Sequence, residues 1–204
     1  MNEKQLRETA DNLFSKRGSL TSLWQEQAEN FYVERADFTS LRSLGEDYAG
    51  HLTSSYPLLM RREFGDQLGV MLRPTQKPWF HSRPKDTTVK DNASLRWLEW
   101  ADGTMRRAMY DRVTLFERTT KAADHDFATF GNAPISVQLN RNRTALLYQS
   151  WHLKDVAWRE DEGGDIDFVA RNWKIACGDV RRLFPQATLD QKLIDMASKT
   201  PFEE

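Results

Sequence analysis

The sequence predicts an α+β fold, helices first and a small antiparallel sheet second, and three observations carry that reading. Apolar residues recur at helical spacing up to about residue 130, and two strand–turn–strand patterns follow between 135 and 170. Short helical patterns then close the chain. The expected order is N-terminal helices including one long one, a small sheet of two hairpins, and short C-terminal helices. We read the 204 residues as a single region, 1–204, helical over 1–130 and built of hairpins and short helices over 131–204.

The first helix is expected over 3–16, where Leu6, Ala10, Leu13 and Phe14 form a narrow stripe on a polar segment. Gly18 reads as its stop, with Ser19 or Thr21 as the next cap. Leu20, Leu23, Trp24, Ala28 and Phe31 then outline an amphipathic second helix, and the Ser-, Thr-, Asp- and Gly-rich stretch 36–54 reads as a loop. A third helix is expected over 55–72. Its Leu58, Leu59, Phe64, Leu68, Met71 and Leu72 are read as the packing side, with Arg61, Arg62 and Glu63 opposite. Pro74, Pro78 and Pro84 exclude a helix from the next stretch and predict an extended connector carrying Trp79 and Phe80.

Helical spacing runs from about Asp91 to Phe130, as one long helix or two in series, with Gly103 as a weak point. Ile135, Val137 and Leu139 alternate, Asn140–Arg143 turns, and Thr144–Gln149 returns as a strand. The second hairpin places Val156 and Trp158 opposite Ile166, Phe168 and Ala170, with Gly163-Gly164 in a tight turn. Helices over 178–184 and 188–199 finish the chain, the second with Thr188 and Gln191 at capping-box spacing.

Composition narrows the function. Apolar residues make up 39% and charged residues 29%, less apolar than the usual ~45–50% but too apolar for a disordered chain. Seven Trp and eleven Phe supply much of the available burial, and large aromatics are also enriched at protein interfaces. The net charge of −1 is unevenly spread: −3 over residues 1–50, +5 over 51–123 and −3 over 124–204. Such blocks suit face-to-face or ring-like association, modest phosphate contact, or simply a solvated surface. The single Cys177 permits no intrachain disulfide and fits a reducing compartment. The N-terminus has no apolar signal core, and no run of about 18 apolar residues suggests a membrane span. A soluble, cytosol-made protein without membrane contact is the expectation.

No catalytic or cofactor signature stands out. His51, His81, His125 and His152 lie far apart, without metal-ligand spacing. His125 between Asp124 and Asp126 is read as a solvated surface triplet, since helix neighbours point in different directions. Asp161, Glu162, Asp165 and Asp167 are read as a polar hairpin tip and not a cation loop. Phosphate-binding glycine loops and a nucleophile elbow are not found. We therefore expect no enzyme, no cofactor and no metal site. The basic residues of the middle third, with Trp79 and Phe80, are read as candidate contact groups: Arg61, Arg62, Arg83 and Lys85, joined by Arg141 and Arg143 at the first hairpin tip.

The run Phe130-Gly131-Asn132-Ala133, the strand Leu146-Leu147-Tyr148-Gln149, His152-Leu153, then Asp165-Ile166-Asp167, Val169 and Arg171 resembles the head-to-tail connecting (portal) proteins of short-tailed phages. Trp24-Gln25, Tyr56-Pro57 and Arg61-Arg62 are similar to that family's N-terminal region. The likeness covers roughly residues 19–185. It implies a virion protein assembled in the host cytoplasm, a subunit of a dodecameric ring at one capsid vertex. The implied partners are other copies of the chain, capsid and scaffolding proteins, tail adaptors, the packaging motor, and the double-stranded DNA that passes through the ring. The matching region would form part of the outer wing. Stem, clip and channel loop lie beyond residue 204 in such proteins, so a fragment or a split subunit is the expectation. The rival reading is a small adaptor or nucleic-acid-binding module without catalytic activity.

Overall fold

The computed structural model describes residues 2–41, 43, 45–74, 77–85, 91–200 and 202. It has the expected α+β order: helices, two antiparallel hairpins, and two short helices. The chain divides into two compact units, Met1–Val169 and Ala170–Glu204.

Helix α1 spans Glu3–Ser15 and starts on a reciprocal cap. Asn2 Oδ1 accepts from the Gln5 N–H at 2.9 Å, and Gln5 Oε1 accepts from the Asn2 N–H at 3.0 Å. The stop expected at Gly18 falls earlier, because α2 already begins there and runs Gly18–Phe31. The turn is at Lys16–Arg17. There the Arg17 guanidinium donates to the carbonyls of Leu153 (3.0 Å), Lys154 (2.9 Å) and Val156, tying the start of α2 to the 3₁₀ turn before the second hairpin.

The core forms where α2 meets the loop after it. Trp24, Ala28, Ala36, Phe38, Phe130 and Leu153 are buried together, with Tyr32 and Trp158 against them. Phe38 and Phe130 meet edge to face at 5.3 Å, and Trp24 lies 5.6 Å from Phe38. Buried Gln25 fixes the loop. Its amide donates to Ala36 O (3.0 Å), and its Oε1 accepts from the N–H groups of Phe38 (2.8 Å) and Thr39 (3.2 Å).

Helix α3 spans Tyr56–Leu72, with Pro57 in its first turn. Its orientation corrects the sequence reading. Gly65 and Arg61 face inward, while Leu59, Phe64, Met71 and Leu72 are exposed. The apolar spacing of α3 runs around the helix, so it could not single out the packed side. The described part of the connector, 74 and 77–85, contains no helix or strand.

The long helical stretch is two helices, α4 (Asn92–Met109) and α5 (Phe116–Phe130). Gly103 lies inside α4 and does not break it. The break is at Tyr110–Leu115. Asp111 caps a 3₁₀ turn by accepting from the Val113 N–H at 3.0 Å, and Leu115 adopts φ 58°.

Strands β1 (Ile135–Leu139) and β2 (Leu146–Ser150) pair with Ile135 opposite Ser150 and Leu139 opposite Leu146. Strands β3 (Val156–Glu160) and β4 (Ile166–Arg171) form their own ladder. Its turn is longer than the two-residue turn expected. Asp161 and Asp165 close it, and only Gly164 of the two glycines has positive φ, at 84°.

In the second unit, α6 (Cys177–Leu183) packs against α7 (Gln191–Lys199). Thr188 does not cap α7. The N-cap position belongs to Asp190, whose side chain makes no cap bond.

Candidate functional site

The most elaborate polar construction is the crossing of α3 and α5. Gly65 and Gly69 lie one helical turn apart on α3, where α5 presents Asp124 and His125. A Cβ on Gly65 would overlap the His125 ring, and one on Gly69 would sit 3.0 Å from Asp124 Oδ2. The two backbones therefore meet over glycine, and this close approach drives charged groups into partly buried positions.

The triplet Asp124-His125-Asp126 is buried, which overturns its reading as solvated surface. Each member finds a different partner. Asp124 takes a short ion pair from Arg73 at the end of α3. His125 Nδ1 lies 3.3 Å from the Arg61 guanidinium, and its Nε2 lies 3.5 Å from Asp66 Oδ1. That geometry fits a neutral ring accepting at Nδ1 and donating from Nε2. Burial and the Arg61 charge push its pKa down. Asp126, 2% exposed, accepts from Arg35 Nη2 at 3.0 Å, and burial pushes its carboxyl up. Lys121, 3.0 Å from Asp66, lowers the Asp66 pKa.

His152 is held in a similar way. Its Nδ1 accepts from the Lys154 N–H at 3.0 Å, and Nε2 lies 2.9 Å from Asp37 Oδ1. Burial raises Asp37, but hydrogen bonds and charge from His152 and Lys154 outweigh that and hold it below the ordinary value. Both histidines brace chain segments: each imidazole has a polar partner at Nδ1 and a carboxylate beside Nε2.

The contact residues read from the sequence scatter. Arg61 is turned inward, its side chain 10% exposed, donating to Phe31 O at 3.1 Å and lying over the Tyr32 ring at 3.8 Å. Arg62, Arg83, Lys85, Arg141 and Arg143 are exposed. Trp79 and Phe80 are half-buried and touch each other at 4.8 Å. Trp79 also stacks parallel to Phe116 at 6.4 Å, and its indole N–H donates to the Tyr110 hydroxyl at 3.2 Å. An open groove of about 680 Å³ beside this cluster is lined by Arg73, Lys77, Tyr110, Phe116, Lys121 and Asp124.

Surfaces the sequence reading did not single out are more prominent. The outward side of α3 carries Tyr56, Leu59, Met60, Phe64, Val70 and Met71, all exposed. On α4, Trp97 and Trp100 are 62% and 61% exposed, while Asp102 on another side accepts from Ser82 N–H (2.8 Å) and Oγ–H (2.5 Å). Ile135, Val137 and Leu139 on β1 are also exposed. Apolar patches of this kind on otherwise polar proteins mark contact surfaces. The available signal for α3 was the presence of apolar residues on more than one side of the helix together with Gly65-x-x-x-Gly69.

Among the described residues, no group of three or more His, Cys, Asp and Glu side chains is placed to hold a metal ion, and no helix is long and apolar enough to cross a membrane. Cys177 is buried. The acidic hairpin tip has a backbone role: Asp161 Oδ1 accepts from the N–H groups of Gly163 (2.8 Å) and Asp165 (2.9 Å). This arrangement can brace helices and present apolar faces. Compared with known families, residues 3–204 match the family model described as "Bacteriophage head to tail connecting protein". No curated protein matches the chain.

Proposed function

The chain belongs to the bacteriophage head-to-tail connecting protein family, and on that premise we propose that it is a structural subunit, acting by assembly and not by catalysis. In this reading several copies form a ring at one capsid vertex, through which double-stranded DNA is packaged and to which the tail attaches. Capsid and scaffolding proteins, tail adaptors and the packaging motor are its partners, and the virion is its location. The observation that carries the proposal is the family match across nearly the whole chain. Exposed apolar faces on α3, α4 and β1 support it, because a subunit destined for assembly keeps such faces for its neighbours.

The test is location and copy number in particles. An epitope-tagged chain supplied during infection should co-purify with DNA-filled capsids, and immunogold should mark a single vertex with multiple copies. Particles that form normally without the tagged chain, or carry it scattered over the shell, would overturn the proposal.

A further inference from the structure

Helix α3 carries apolar side chains on two opposite sides, with Arg62, Glu63 and Gln67 exposed between them. One side meets α5 across Gly65 and Gly69, and the opposite side, lined by Tyr56, Leu59, Met60, Phe64, Val70 and Met71, is exposed. Six large apolar side chains exposed together on one helix side form the kind of patch that marks a contact surface. Helix α4 presents a different surface. At about 100° per residue, Trp97 and Trp100 share its outward side with Arg96, Thr104 and Arg107, away from the side on which Asp102 binds Ser82.

The two surfaces complement each other. The α3 face is mostly aliphatic, with Glu63 near its middle and Asp66 and Arg62 along one edge, two acids to one base. The α4 face is aromatic and its charged members are Arg96 and Arg107. Their lengths match as well: seventeen and eighteen residues, about 25 and 27 Å at 1.5 Å per residue. Indole rings set against Met, Leu and Val, with arginines flanking a glutamate, give an apolar centre with a charged rim, the usual anatomy of a protein interface.

We infer that the outer face of α3 docks against the Trp97–Trp100 face of α4 in a second copy of the chain. The contact is heterologous: each copy offers α3 to one neighbour and α4 to the other, and such contacts propagate into a ring when the rotation closes. This inference rests on the self-assembly reading above and specifies the surfaces that carry it.

Cross-linking tests it. In a Cys177→Ser background, Phe64→Cys and Trp100→Cys proteins are made separately, mixed at tens of micromolar, equilibrated, and treated with a short bismaleimide. The mixture should yield a covalent dimer at least tenfold more abundant than either protein alone. Circular dichroism melts check that each variant is folded, which the exposure of both positions favours. Charge reversal gives a second measurement. Glu63→Arg should reduce the mixed cross-link severalfold, and combining it with Arg96→Glu and Arg107→Glu in the partner should restore it. Cross-links in the single-variant samples would mean that like faces meet, and would overturn the inference. So would the absence of a mixed product, or charge reversal without effect. If tagged chain still marks one vertex of the particle in that case, the assembly role stands and only the choice of surfaces fails.

Discussion

Gly65 shows how one missing side chain organises its neighbourhood. A Cβ there would overlap His125 Nδ1 and lie 2.8 Å from Cε1, so Gly65→Ala must push the ring off Arg61 and Asp66. We expect a loss of about 1–3 kcal/mol in urea unfolding, the range for overpacking a tight contact. Gly103 is the control: nothing lies within 4 Å of its Cβ position inside α4, so Gly103→Ala should stabilise by about 1 kcal/mol from helix propensity. His125 carries a pH prediction as well. Burial and the positive charge of Arg61 lower its folded pKa, while Asp66 and Asp124 oppose and Lys121 reinforces that shift. The unfolded chain therefore binds the extra proton first, and stability falls as pH drops from about 6.5, the unfolded value, towards the lowered folded value. Asp126, raised by burial, works in the opposite sense at lower pH. Melts across pH 7 to 5 should lose stability more steeply in the native protein than in His125→Asn, and equal slopes would contradict the assignment. None of this is legible in Asp124-His125-Asp126 alone. Three consecutive helix residues point three ways, which looks like solvent exposure unless partners stand on several sides, and only the fold shows that they do.

Among the elements, the join between α4 and α5 was the hardest to place from sequence, because apolar spacing continues across it. Its determinants are local and polar. Thr114 is fully buried, with Oγ1 2.6 Å from Met109 O and 2.7 Å from Asp111 O. Thr114→Val keeps the shape and leaves those carbonyls short of a donor, so calorimetry should show a loss of about 1–2 kcal/mol. Hairpins were the more legible elements, since alternation and turn residues coincide in a short stretch. Their turn details were less so. Gly163-Gly164 looks like a two-residue turn, yet Asp161 accepts the Gly164 N–H at 3.1 Å and donates its own N–H to Asp165 O at 2.8 Å, leaving a three-residue loop. The two glycines are therefore unequal. Gly164→Ala should destabilise by about 1–2 kcal/mol from its left-handed backbone, whereas Gly163→Ala, whose Cβ would sit 3.2 Å from Asp161 Oδ1, should cost less, about 0.5 kcal/mol. Equal costs in parallel denaturant titrations would mean that the loop is wrongly placed.

For the whole molecule, the residues that carried the family resemblance are partly those that build the core: Trp24, Gln25, Phe130 and Leu153 are all buried. That explains why the family was readable from a scattered set of positions, for a core must keep its side chains in order along the chain. Contact surfaces have no such internal constraint, and the side of α3 that faces solvent could not be told from the side that faces α5. Trp79 and Phe80 show the difficulty from the other direction. Their contacts with Phe116 and Tyr110 mean that the Trp79→Ala, Phe80→Ala double change should lower stability by about 2 kcal/mol or more in a thermal melt. An assembly defect in that variant would not by itself locate an interface, which makes the more exposed Trp97 and Trp100 the cleaner probes.

The glycine-packed crossing also foretells what a library of α3 substitutions would tolerate. Selected only for soluble, protease-resistant protein, changes at Gly65 and Gly69 should vanish, while polar replacements at Met60, Phe64 and Met71 should survive or even be enriched. Selected for infectious particles, both sets should vanish. The difference between the two maps, plotted along one helix, would separate what the chain owes to its own folding from what it owes to its neighbours.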